Sequence, residues 1–177
     1  PIAAALAAAV ALPPAFAADP ADPVATGKRM YLEGVLPSGE AMAGIYAGDV
    51  VISGEQVICG TCHRRSGLGS GEGQEVVPAV AGDMLYKPLR LPTRGLPLAP
   101  EQRPAYTDDT LKRAIREGIG ADGKPLSVLM PRYALSDADL DPLIAYLKSL
   151  STRPGPGVSD TEIRFATVLT DGVDPAT

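Results

Sequence analysis

Apolar residues return at helical spacing in two stretches of the chain. Leu111, Ala114, Ile115 and Gly118 fall on one face ahead of Gly120, with Lys112, Arg113 and Arg116 off it. Thr107-Asp108-Asp109-Thr110 supplies hydroxyls and carboxylates for the start of that helix, where unpaired amides and the positive end of the helix dipole favour them. A second stripe, Leu140, Leu143, Ile144 and Leu147, is extended by Tyr146 and Leu150. Ser136, with Asp139 three residues later, can cap it. Pro142 lies past the first turn and predicts a kink or a frayed start. Between Gly34 and Gln56 the chain is Gly-rich, and a short hairpin around Ile45 to Ile52 fits the pattern. Ile163, Phe165 and Thr167 alternate with Arg164 and Ala166 and run on to Val168-Leu169, a strand pattern with no partner strand elsewhere. A lone strand is not stable by itself, so this one either packs on the domain's surface or begins a second domain.

The ends read differently from the middle. Residues 1–17, PIAAALAAAVALPPAFA, carry no charge and close on the small-x-small pattern Ala15-Phe16-Ala17, as a secretory signal peptide does. Its usual basic front is missing from a sequence that starts at Pro1. Pro13-Pro14 breaks an apolar run already shorter than the roughly 18 residues that span a bilayer. The expected consequence is export to the periplasm, with no membrane span in the mature chain. Residues 18–25 are then an N-terminal linker, 26–151 the folded domain, and 152–177 a second linker, rich in Pro and Gly near its start, with a C-terminal extension.

Composition bounds the chemistry. The 177 residues amount to one domain. Hydrophobic residues are 45% and aromatics only 5%, so the core is built mostly from aliphatics. A net charge of -5 leaves too little positive field to attract nucleic acid. Two Cys and one His exclude a multi-histidine metal site and a disulfide-dense scaffold.

All three of those residues stand in Cys59-Gly60-Thr61-Cys62-His63. C-x-x-C-H is the signature of c-type haem attachment. In a helical turn, two thiols three positions apart reach the two vinyl groups of one porphyrin, and the adjoining histidine lies under the iron. A thioredoxin-like dithiol would want a βαβ context that the flanking sequence lacks. Structural zinc wants four ligands. An exported chain could also oxidise the pair to a disulfide. None of these alternatives gives the histidine a role. With no second His, the sixth iron position falls to Met30, Met42, Met84, Met130 or an oxygen ligand. Met130 is the best placed, in Leu129-Met130-Pro131-Arg132-Tyr133, 67 residues after His63 and between the two helices, with Met84 in reserve. The run Gly67-Leu68-Gly69-Ser70-Gly71-Glu72-Gly73 lacks the lysine and preceding strand of a phosphate loop and reads as a mobile surface turn.

From about Ala25 to Leu150 the chain resembles the class I monohaem cytochromes c, of a bacterial periplasmic type with a basic, Gly-rich turn (Arg64-Arg65-Ser66-Gly67-Leu68-Gly69) after the histidine. The resemblance implies an all-α cytochrome c fold, three to five helices around one covalently attached haem c and its iron, with long Gly/Pro-rich loops. It places the first helix at Thr26 to Tyr31. It gives His63 and Met130 as axial ligands, Pro78 as the carbonyl that accepts from the imidazole's other nitrogen, and Arg64 or Arg65 as propionate partners. Leu111 and Ile115 are expected to serve core and cofactor together, and Arg132 and Tyr133 to join the haem contacts, with Arg132 adding positive charge near the haem edge. The 34–56 segment is an insertion relative to the family. The function implied is an electron carrier rather than an enzyme, serving redox partner proteins. The alternative is a haem domain of a larger fusion or complex, with a displaceable methionine and an associated periplasmic ligand-binding domain.

Overall fold

A computed structural model describes residues 22–72, 75–90, 102–155 and 157–166. Residues 1–17, read above as a signal peptide, half of the first linker (18–21) and residues 167–177 lie outside the described residues. The first helix, α1 (Pro23–Glu33), starts earlier than the resemblance implied. Asp22 caps it by accepting the Val24 amide at 2.8 Å, proline occupies the first turn, and Gly34 ends it in the left-handed conformation. The other helices are α2 (Cys59–His63), α3 (Gly82–Leu85), α4 (Asp108–Glu117) and α5 (Asp137–Ser149).

The two periodic stretches form α4 and α5, each opened by a reciprocal capping box, Thr107 with Thr110 and Ser136 with Asp139. Gly118 is not on the α4 face. It is the residue after the helix, at φ 69°, where it turns the chain. Helix α5 runs unbroken through Pro142, and Leu140 still donates to the Ser136 carbonyl at 3.1 Å, so the start is not frayed. Its main partner is α1. Gly27 makes that contact possible, since a Cβ there would stand 1.9 Å from the Pro142 carbonyl oxygen. Tyr31 and Tyr146 meet across the same interface with ring centroids 5.3 Å apart.

One core joins these helices, around Met30, Tyr31, Met42, Leu111, Leu140 and Ile144. Ion pairs lace its rim: Lys112 to Asp141 at 2.6 Å, Arg116 to Asp137 at 2.5 Å and Lys148 to Asp108 at 2.7 Å.

The all-α expectation does not describe the whole chain. The 34–56 segment forms a hairpin, β1 (Ala43–Tyr46) and β2 (Val50–Ser53), that continues into a third strand, β7 (Arg132–Tyr133), giving the order β2-β1-β7. Two further two-stranded ladders pair β3 (Ser70–Glu72) with β4 (Glu75–Val77) and β5 (Leu89–Arg90) with β6 (Gln102–Arg103). These strands are too short to make a layer; each ladder ties together the loop it belongs to.

Past α5, Asp83 holds the chain by accepting the Thr152 amide at 2.9 Å. Beyond that, Val158 and Ile163 form a single bridge, and no longer strand exists among the described residues of the extension. Phe165 is 90% exposed, so the described part of this segment does not pack on the domain.

Candidate functional site

Helix α2 consists of the C-x-x-C-H pentapeptide alone. Its two thiols, three positions apart, share a face. Cys59 is half-buried and Cys62 exposed, and neither is in a disulfide. Gly60 lets the turn lie on α1, where a Cβ would come within 3.1 Å of Leu32 Cδ2. Burial pushes the Cys59 thiol up to about 11, with the Tyr133 hydroxyl acting in the opposite direction, so the free chain keeps it protonated at neutral pH.

His63 Nδ1 lies 2.9 Å from the Pro78 carbonyl oxygen. A carbonyl can only accept, so Nδ1 carries the proton and Nε2 presents its lone pair. Burial holds the imidazole below its usual pKa, against the opposing pull of that carbonyl, which keeps it neutral and able to bind a metal. The Gly-rich run after His63 brings Pro78 into place, and it is not a free surface turn. Gly69 donates to the His63 carbonyl at 3.0 Å, and Val80 and Ala81 both donate to the Gly67 carbonyl. Gly69 sits at φ 79°, and a Cβ there would be 2.2 Å from the Val77 carbonyl oxygen. The β3-β4 ladder then carries the chain from Ser70 back past Val77 to Pro78.

The methionine loop meets this turn through Tyr133. Its hydroxyl donates to the Val57 carbonyl at 3.0 Å and faces the Cys59 sulfur. Met130, three residues earlier, is half-buried against the core and closes a turn by donating its amide to Ser127. Arg132 is not spread along the surface. Its guanidinium donates to the carbonyls of Leu126, Ser127 and Met130, within its own loop. Leu111 and Ile115 are buried in the core on the inner face of α4. Arg64 and Arg65 are exposed beside Cys62, and the Arg64 carbonyl accepts the Tyr31 hydroxyl at 2.7 Å. Of the other methionines, Met30 and Met42 are wholly buried, and Met84 is half-buried on α3.

Two residues escaped sequence reasoning. Tyr31 anchors the exit of the C-x-x-C-H turn, and only its aromatic character inside a helical stretch could have flagged it. Arg103 is the one buried charge among the described residues, donating to the Met84 and Leu85 carbonyls at 3.0 and 3.3 Å and lying over the Tyr106 ring. Nothing local to Gln102-Arg103-Pro104 marks it.

Residues 54–151 match the family model for cytochrome c, more than half of the chain. The chain belongs to the cytochrome c family. No curated protein and no solved structure matches it. As a cytochrome c it binds covalently attached haem c with its iron and transfers electrons. The donor set fits that group: two thiols on one face of a turn, and a neutral imidazole whose outer nitrogen is already engaged. Among the described residues, no helix of this cytochrome is long and apolar enough to cross a membrane.

Proposed function

We propose that this cytochrome is an exported, periplasmic carrier of single electrons, with haem joined to Cys59 and Cys62 and with His63 and Met130 as the axial ligands. The supporting observation is the bonded frame around the attachment turn. Pro78 holds one nitrogen of His63, and Tyr133 ties the methionine loop to Val57 and Cys59. When bound, haem with two protein ligands supplies a one-electron couple without an open coordination site, and a thioether opposite the imidazole raises its potential. The chain's part is to fix both ligands so that little rearranges between the two oxidation states. The Pro78 carbonyl orients the imidazole and makes it more basic, and the aliphatic core keeps water out.

Cys62 is exposed and flanked by Arg64 and Arg65, so the face a redox partner reaches carries local positive charge although the chain is acidic overall. Arg132 is turned into its own loop, where its guanidinium donates to the Leu126 and Ser127 carbonyls. An acidic patch on the partner suits this face, in the small, transient interface usual for redox encounters.

The ferric optical spectrum tests the reading. A weak band near the red end, from sulfur-to-iron charge transfer, is expected in the wild type, and Met130→Ala removes it and lowers the reduction potential. Its persistence in that variant would move the assignment to Met84. A wild type without the band that binds cyanide or carbon monoxide at once would not be a simple carrier.

One observation favours a second reading. Ile163 and Phe165 stand exposed off the domain's surface, as the start of an associated ligand-binding domain would, and the cytochrome would then serve that domain as an electron-delivering or sensing module. Carbon monoxide displacing methionine from the reduced protein within the mixing time would support it.

A further inference from the structure

We propose that Arg132 and the 43–53 hairpin together form a clamp that positions Met130, setting how often that ligand leaves the iron. The proposal rests on Met130 being the axial ligand. The Arg132 guanidinium is turned toward its own loop.

Three independent attachments converge on the loop. The Arg132 guanidinium donates to the carbonyls of Leu126 and Ser127 at 3.1 and 3.2 Å, and to that of Met130 itself. One planar cation thus satisfies three carbonyls that point inward around a turn, a role its fixed fork suits and a lysine's point charge does not. Helix α4 supplies the wall behind it. A Cβ at Gly118 would stand 1.8 Å from Arg132 Nε, so the guanidinium lies flat on the helix's left-handed terminal glycine. The insertion supplies the third attachment. Gly44 and Ile45 pair with Tyr133 and Arg132, and the Ala47 amide at the hairpin's tip donates to the Val128 carbonyl at 3.1 Å.

Met130 is therefore bracketed. Upstream, Val128 is held by the hairpin tip; downstream, Arg132 and Tyr133 are held by β1; across the turn, the guanidinium holds the carbonyls. The Met130 amide also closes onto Ser127 at 3.1 Å. A loop tied at so few residues opens as a unit, because releasing the thioether requires breaking the ties on both sides of it. The insertion pays out its length here: its β2 edge is solvent-facing, with Val51 77% exposed, while β1 is spent on the methionine loop.

Cyanide association with the haem-loaded ferric protein reads this opening, since the anion takes the position that methionine vacates. Arg132→Gln is expected to raise the association rate on the order of tenfold or more, from loss of charge-assisted bonds that stabilise the closed loop. Arg132→Lys is expected to fall between it and the wild type. The control is Asp22→Ala, which removes the α1 cap at a residue outside both the loop and the hairpin and should leave the rate within about twofold. The wild type provides a readout that needs no variant: amide exchange at Ala47 and Met130 should proceed together, at one common opening rate. Rates for both Arg132 variants within twofold of wild type, while Met130→Ala still removes the red band, would overturn the clamp and leave the ligand assignment standing. Retention of the band in Met130→Ala would instead overturn the assignment itself. Faster, independent exchange at Ala47 would remove the hairpin from the clamp.

Discussion

Gly27→Ala tests the helix pair on which the domain rests. In an exposed helix this change is stabilising, by about 1 kcal/mol. Here the added methyl would meet the Pro142 carbonyl oxygen at 1.9 Å, its carbon at 2.6 Å and Tyr146 Cβ at 2.8 Å. Two of those atoms are backbone and cannot rotate away. To reach an ordinary contact near 3.4 Å, α1 must withdraw from α5 by 3.4 − 1.9 = 1.5 Å along that line. Such a gap forfeits much of the dispersion contact along the interface, including the Tyr31 and Tyr146 ring pair and the neighbouring Met30 and Ile144. Overpacking alone costs about 1–3 kcal/mol, and this rigid case belongs at or above the upper end. Subtracting the propensity gain leaves a net loss of roughly 2–4 kcal/mol, against a total of about 5–15 kcal/mol for a typical domain. For a domain of this size that lowers the thermal midpoint by on the order of 10 °C. Thermal and urea unfolding of the haem-loaded protein, followed by far-ultraviolet circular dichroism, measure it. An unchanged or raised midpoint would refute the close approach of the two helices, because only propensity would then be acting.

Two further outcomes follow from the helix ends and the ion pairs. Ser136→Ala removes the side chain that accepts the Asp139 amide, and a loss of about 1 kcal/mol is expected in urea unfolding. Acid should destabilise the fold. Asp108 is held below its ordinary pKa by hydrogen bonds from Lys148 and Tyr86, Asp137 by Arg116, and Asp83 by Thr152. Because each folded value lies below the unfolded one, their stabilisation is complete above about pH 4 and is lost as pH falls through the lower folded values. Thermal midpoints measured from roughly pH 6 to pH 2 should drop across that window, and Asp108→Asn should flatten part of the fall.

The parts legible in the sequence are those whose physics is local. A helix starts where a side-chain oxygen can reach an amide three residues on, so Thr107 and Ser136 announced α4 and α5. The attachment pentapeptide is likewise a contiguous signal, because two thiols and an imidazole within one turn need no tertiary contact to be recognised. Pro142 misled at that same level as to fraying: its missing amide concerns one bond, and α5, packed on α1, continues unbroken through it. The Gly-rich run after His63 misled as well. Glycine marks flexibility in isolation, yet here Gly67 is fixed at φ 70° with its carbonyl accepting from Val80 and Ala81, and Gly69 is required by the close approach of the Val77 carbonyl oxygen.

Alone, then, the sequence determined that α4 and α5 form and which five residues carry the attachment chemistry, since both depend on neighbours a few positions away. Tertiary structure decided what surrounds that chemistry. Tyr133 reaches Val57 across 76 residues, and the insertion finds its pairing partner beyond Met130. Arg132, which by composition is one more surface cation, turns inward because three carbonyls of its own loop converge on it. Such choices depend on geometry assembled from distant segments, and no window of sequence contains it.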